Sequence, residues 1–146
     1  LGPAPASPFG GPAPYGPQPI DPLARARACE LLGALGSPRA TSALAEIWSN
    51  DPDQAVRAAA ARALGAIGLD PDGAFLSAFA AALDRSVLDE GLALASIDAV
   101  EALYRAHGSL GEASAALALV RLAAKPYGAA VRSRAEKVLS LLARGP

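Results

Sequence analysis

The sequence predicts an all-α fold: a right-handed α-solenoid of about three helical pairs and a terminal helix, preceded by an N-terminal Pro/Gly-rich arm. Three observations lead there. From Leu23 onward the chain is punctuated by helix-start and helix-stop residues, and no stretch sustains the apolar/polar alternation of a strand. Segments of helical periodicity recur at regular spacing. The chain is also rich in alanine, with 52% hydrophobic but only 5% aromatic residues, so its core must be built from small side chains on closely packed helices.

The arm comes first. Residues 1–22, LGPAPASPFGGPAPYGPQPIDP, are dominated by proline and glycine and supply neither a helix ladder nor enough apolar surface to fold alone. They read as a linker, extended in part as polyproline II. Pro5 with Pro8 and Pro14 with Pro17 have the spacing of ligands for aromatic-lined grooves, although proline-rich sequence meets that spacing by chance. A third use is intramolecular, with Phe9, Tyr15 and Ile20 lying over the first helix. Ala4 and Ala6 have the small-x-small form of a cleavage site, but no charged or long apolar stretch precedes them. The chain has no methionine and starts at Leu1, which predicts a processed product or part of a longer protein.

The body, residues 23–146, is read from its caps. Asp21-Pro22, Ser37-Pro38, Asp51-Pro52 and Asp70-Pro71 each set a capping oxygen before a proline. The oxygen accepts an orphan amide, and proline fills the first turn, where its missing N–H costs nothing. Gly36, Gly68 and Gly108 suit helix ends, where a left-handed residue is wanted. Helices are expected near 22–35, 39–49, 53–67, 72–85, 89–107, 111–125 and 128–144.

The first helix of each pair repeats. ARARACELLGALG (24–36) aligns with VRAAAARALGAIG (56–68) at an offset of 32, placing Arg25 on Arg57, Leu32 on Leu64 and Gly33 on Gly65. VRSRAEKVLSLLA (131–143) follows at a further offset of 75, and LASIDAVEALYRA (94–106) fits more loosely. DPDQAVRAAAARALGAIG resembles the HEAT repeat in its short bacterial form, the kind named for phycobilisome lyases. The resemblance covers about 23–146 and is specific for fold while nearly silent on chemistry. The physics agrees: isolated helix pairs cannot bury their apolar faces, so they stack into a continuous core. Ala59, Ala60 and Ala63 let helix axes approach, while Val56, Leu64 and Ile67 fill the seam.

The candidate chemical groups read mostly as structure. Arg25, Arg57 and Arg132 share a repeat position; the resemblance implies that each meets an aspartate of the inter-repeat turn, with Asp51, Asp53 and Asp70 available. Glu30, Arg62, Glu101 and Lys137 share another, with alternating sign, and would set opposite charges side by side on the outer face. Cys29 aligns with Ala61 and Val100 and is expected in the core, and His107 at a helix end. DPDG (70–73) opens like a calcium loop but lacks the later ligand and glycine. No catalytic site, metal site or cofactor site is expected.

What remains is surface. In the resembling stacks, the second helix of each pair lines the concave face where partners bind. Positions facing away from Ala43, Leu44 and Ile47 are Arg39, Ser42, Glu46 and Ser49. Their counterparts are Ser77, Ala81, Asp84 and Arg85, then Ser114, Arg121 and Lys125. Trp48 stands where the repeat usually carries leucine, either as core or as a rim anchor, since tryptophan is enriched at binding hot spots. The expected protein-binding set is Arg39, Ser42, Glu46, Trp48, Ser77, Arg85, Arg121 and Lys125. The last helix would expose part of Val138, Leu141 and Leu142 unless covered, or serve as a charged cap.

Charge bears on the partner. All thirteen basic side chains and thirteen of the fourteen acidic ones follow Leu23, so the body is neutral and offers little to a phosphate backbone or an anionic membrane. No apolar run approaches the length of a spanning helix, so no membrane insertion is expected. The sequence predicts a non-enzymatic interaction or assembly module binding a protein or peptide through its concave face, its arm, or both. The lyase resemblance keeps a second reading open, an enzyme or accessory protein holding a small ligand such as a tetrapyrrole. Nucleic-acid binding is the third.

Overall fold

A computed structural model of the chain describes residues 20–111 and 113–145. The arm with its PxxP spacings, Phe9 and Tyr15 lies outside the described residues up to position 19. The described residues form seven α-helices and no strand: α1 Pro22–Leu35, α2 Thr41–Asn50, α3 Gln54–Ile67, α4 Ala74–Arg85, α5 Glu90–His107, α6 Ala113–Leu122 and α7 Ala129–Arg144. A 3₁₀ turn, Pro38–Ala40, leads into α2.

The three glycine caps and the Asp21 cap are in place, whereas the Ser37 side chain makes no cap hydrogen bond and the other two caps differ in detail. Asp21 accepts from the Leu23 amide at 2.8 Å, and Gly36, Gly68 and Gly108 close α1, α3 and α5 in the left-handed region. The cap of α3 is Asp53, not Asp51, and it accepts from the amides of Ala55 and Val56. Asp51 instead accepts from the Asp53 amide and turns the chain. Before α4, residues 70–73 form a tight turn, and Asp70 reaches past it to accept from Phe75 and Leu76, both at 3.0 Å. The helix therefore starts at Ala74, two residues later than expected. At the other end α6 stops at Leu122, short of the expected 125, where the Ala123 amide is shared between the Leu119 and Val120 carbonyls and the Ala124 amide turns to Arg121.

The helices lie in two rows. α1, α3, α5 and α7 pack successively against one another, while α2, α4 and α6 form a second row; α2 packs on α3, and α6 on α7. The first row is drawn tight by glycine. A Cβ on Gly33 would lie 2.8 Å from the Cα of Ala63, and one on Gly65 would lie 3.3 Å from the Cα of Ala99. The recurring glycine of LGALG and LGAIG is thus a contact between neighbouring repeats. Flanked by α1, α2 and α5, helix α3 buries Ala58, Ala59, Ala60 and Ala61 together. Val56 and Leu64 are buried in the seam as expected, while Ile67 is half-buried at its edge.

Between the rows sits an aromatic cluster. Trp48 meets Phe75 edge-on at 5.4 Å, and Phe79 lies 6.2 Å from Trp48 and 6.0 Å from Phe75. Trp48 is wholly buried, and its indole Nε1 donates to Ser96 Oγ at 2.9 Å, which donates in turn to the Leu92 carbonyl. The rim-anchor reading of Trp48 is therefore corrected: its bulk fills the core between α2, α4 and α5. The buried side of α2 is Thr41, Leu44, Ala45 and Trp48, leaving Ala43 exposed and Ile47 half-buried. Val138 is buried too, because α7 packs on both α5 and α6, and Leu141 and Leu142 are half-buried.

The arginine row is only partly what the repeat implied. Arg25 grips Asp51 with two hydrogen bonds, Nε to Oδ2 at 3.0 Å and Nη2 to Oδ1 at 3.1 Å, tying α1 to the α2–α3 turn. Burial pushes the Asp51 carboxyl up, but the Arg25 and Asp53 hydrogen bonds with the Arg25 and Arg57 charges hold it below its ordinary value. Arg57 makes no ion pair among the described residues; it donates to the Trp48 carbonyl and lies over the indole at 5.2 Å. Arg132 also has no ion pair among the described residues. The α5–α7 clasp is Arg134, which binds Asp98 and Glu101. Glu101 also takes Arg105 at 2.8 Å, so the expected charge alternation is not expressed as pairs among Glu30, Arg62, Glu101 and Lys137.

Candidate functional site

The outward face of the second row is built by three short helices whose inner sides are held by the core. On α2, the spacing of Ser42, Glu46 and Ser49 puts them on the side away from Leu44 and Trp48, and all three are exposed. Ser49 Oγ returns a hydrogen bond to the Ala45 carbonyl at 3.0 Å. Arg39 is exposed on the preceding 3₁₀ turn. On α4, Ser77, Ala81, Asp84 and Arg85 are exposed while Phe75, Leu76, Phe79, Ala82 and Leu83 are buried. On α6, Arg121 is exposed and Ser114 half-buried, and Lys125 is exposed in the turn that follows.

One contact organises this surface. Arg121 Nη1 donates to the Leu83 carbonyl at 3.2 Å and pairs with the Asp84 carboxylate. The last turns of α4 and α6 are therefore side by side, which places Arg85 and Lys125 at the same end of the row. Asp84 and Arg121 neutralise each other, whereas Arg39, Glu46, Arg85 and Lys125 make no ion pair among the described residues. The face thus has small side chains along its middle and a cationic edge where α4 and α6 end.

Sequence reasoning missed two residues here. Leu117 and Val120 of α6 are 62% and 51% exposed, although large and apolar. The inner stripe of α6 is Ala115, Ala118, Leu119 and Leu122, spaced as i, i+3, i+4, i+7. Leu117 and Val120 fall off that stripe, and this surplus is the signal that was available in ASAALALVRL. Glu46, by contrast, borders a shallow hollow of about 350 Å³ with Ala43, Ile47, Asn50 and Asp51.

The groups with chemical potential elsewhere are occupied. Cys29 is 1% exposed, and burial, reinforced by Asp51 and Glu30, pushes its thiol pKa up, away from the reactive thiolate. His107 stands at the end of α5 with Nε2 2.9 Å from the Gly68 carbonyl oxygen. It borders an apolar cleft of about 520 Å³ walled by Leu69, Leu76, Leu103 and Leu110. Asp70 borders the same cleft, but both its carboxylate oxygens are taken by the cap of α4. Among the described residues no group of His, Cys, Asp and Glu is arranged to hold a metal ion. None of the described helices is long and apolar enough to cross a membrane.

No curated protein and no solved structure matches the chain significantly. The sequence profile of HEAT repeats does match, over residues 20–96, from the entry to α1 through the first part of α5. Proteins of this kind commonly serve as scaffolds for protein–protein interaction. The profile spans over half of the sequence, and the two-row helical stack continues beyond it: the chain belongs to the HEAT-repeat family.

Proposed function

We propose that the chain is a non-enzymatic protein-binding module whose partner lies across the outward face of α2, α4 and α6. The observation that carries this reading is the pair Leu117 and Val120, exposed on α6 beside a face of serine and alanine. Exposed apolar side chains are ordinary singly; two on adjacent turns of a helix face in a known scaffold family supply a buried contact for a partner. The cationic end formed by Arg85 and Lys125 favours a partner segment with apolar side chains followed by acidic ones. Glu46 sits toward the opposite side of the row and sets orientation by its charge.

The small-ligand reading asks for a reactive group in an open groove. Cys29 does not supply it, because it is buried and its thiol is held protonated. The nucleic-acid reading asks for clustered cations, and a neutral body with Arg25, Arg105, Arg121 and Arg134 already paired supplies few.

Affinity capture from a cell extract tests the proposal, using the intact chain beside Leu117→Asp with Val120→Asp, and beside Glu46→Arg. Proteins retained by the intact chain and lost from the α6 variant support the face. Equal retention by all three removes it as the binding surface.

A further inference from the structure

The two ends of the first row are finished differently. The exposed side of α7 carries Ser133, Glu136, Lys137, Ser140 and Arg144, a polar surface that borders a hollow shared with Glu101 and Arg105 of α5. Among the described residues the exposed side of α1 carries only Arg27 and Glu30 as charged groups and has no helix against it. Its buried residues are Cys29 and Gly33, on the side that meets α3. The rest of its surface exposes Arg27 and Glu30 together with Leu23, Ala24, Ala28, Leu31 and Leu35, of which Leu31 and Leu35 are 60% and 68% exposed. Ala24, Ala28, Leu31 and Leu35 are spaced as i, i+4, i+7, i+11, a second apolar stripe on a helix that already has one. A repeat stack requires a polar outer face or a cover at each end.

We propose that residues 1–19 of the same chain are that cover, lying along the exposed side of α1 with Phe9 and Tyr15 against Leu31 and Leu35. Composition is the first argument. Residues 1–19 contain no charged side chain, so laying their apolar side chains on α1 buries no charge. They contain Phe9 and Tyr15, rigid amphipathic anchors, among prolines that restrict the unbound chain and reduce the entropy lost on docking.

Attachment is the second argument. Arg25, locked to Asp51, also donates to the Ile20 carbonyl, and Asp21 caps the Leu23 amide, so the segment leaves from a fixed point at the start of α1. At about 3.1 Å per residue in polyproline II, 19 residues reach roughly 59 Å. The 14 residues of α1 span about 21 Å, so the segment can turn back and run the whole stripe. A tether this short holds the segment at an effective concentration in the millimolar range, which a second copy of the chain matches only at comparable protein concentration.

Chymotrypsin cleavage after Phe9 and Tyr15 tests the proposal in the full chain, with Leu31→Asp/Leu35→Asp as the comparison. Both substituted positions are exposed, and circular dichroism verifies that the helices remain. The expected result is cleavage at least tenfold faster in the double variant, both proteins sedimenting as monomers. Equal rates overturn the proposal. So does an intact chain that is dimeric, readily cleaved at both sites and dissociated by the double substitution, because the stripe then binds a second copy. Should the variant fail to fold, nuclear Overhauser contacts in the intact chain decide. Contacts from the Phe9 or Tyr15 ring to the Leu31 or Leu35 methyls support the docking, and their absence refutes it.

Discussion

Replacing single glycines by alanine separates close helix approach from mere helix propensity, and three positions supply the comparison. At Gly33 the new Cβ falls 2.8 Å from the Cα and 3.0 Å from the Cβ of Ala63. Carbon atoms pack at about 3.5–4.0 Å, so α1 and α3 must move apart by several tenths of an ångström. Overpacking of that kind costs about 1–3 kcal/mol, against about 1 kcal/mol gained from alanine's better helix propensity. At Gly65 the nearest atom is the Cα of Ala99 at 3.3 Å, and the two effects nearly cancel. At Gly91 the only neighbour is Asp89 Oδ2 at 3.9 Å, so the propensity gain stands alone, near 0.5 kcal/mol in a first turn. The expected order of stability is Gly91→Ala, then Gly65→Ala, then Gly33→Ala. A spread of about 1.5 kcal/mol corresponds to roughly 6 °C in Tm for a domain of this size. Thermal and urea denaturation measure it. A Gly33→Ala chain as stable as Gly91→Ala would refute the claim that glycine sets the spacing of the first row.

Three further outcomes follow from the same contacts. The Asp51 carboxyl is held low in the folded chain, so the unfolded chain binds more protons as the medium acidifies. The stability it contributes is complete above pH ~4 and is lost as pH falls below that value; Asp51→Asn lowers stability at neutral pH and flattens the acid limb of a urea-midpoint titration. Tyr127→Phe removes the phenolic oxygen that accepts from the buried Leu88 amide at 3.0 Å, at a cost of about 1–3 kcal/mol in denaturant unfolding. Cys29 reacts with a thiol reagent only as fast as the chain opens, so subdenaturing urea accelerates labelling; rapid labelling of the native chain contradicts its burial.

The parts of this structure legible in the sequence are those decided locally. Asp21 and the glycines at 36, 68 and 108 act on amides or backbone angles within their own helices, so cap chemistry predicts them directly. The match of Gly33 to Gly65 is visible as a repeat, and both glycines face the neighbouring helix, Gly33 more closely than Gly65. Arg57 shows where such reasoning ends. It occupies the position of Arg25, yet where Asp51 stands two residues before the cap of α3, Val87 stands two residues before the cap of α5, and Arg57 donates to the Trp48 carbonyl instead. Asp70 caps a helix that begins beyond the turn it opens, a geometry that depends on how residues 70–73 fold. Trp48 was ambiguous because a lone tryptophan reads alike in a core or on a rim; Phe75, Phe79 and Ser96 decide it. Leu117 and Val120 were hidden by the opposite problem, a helix so apolar that inner and outer faces look the same.

The surface claimed for binding is best tested by placement. A photo-crosslinking residue is introduced at Ser77 or Leu117 on the second row, and separately at exposed Ala66 on α3 of the first, then irradiated with the captured partner present. Crosslinks from positions 77 and 117, and none from position 66, are the predicted result. A partner that crosslinks from position 66 and from neither second-row position contradicts the assignment.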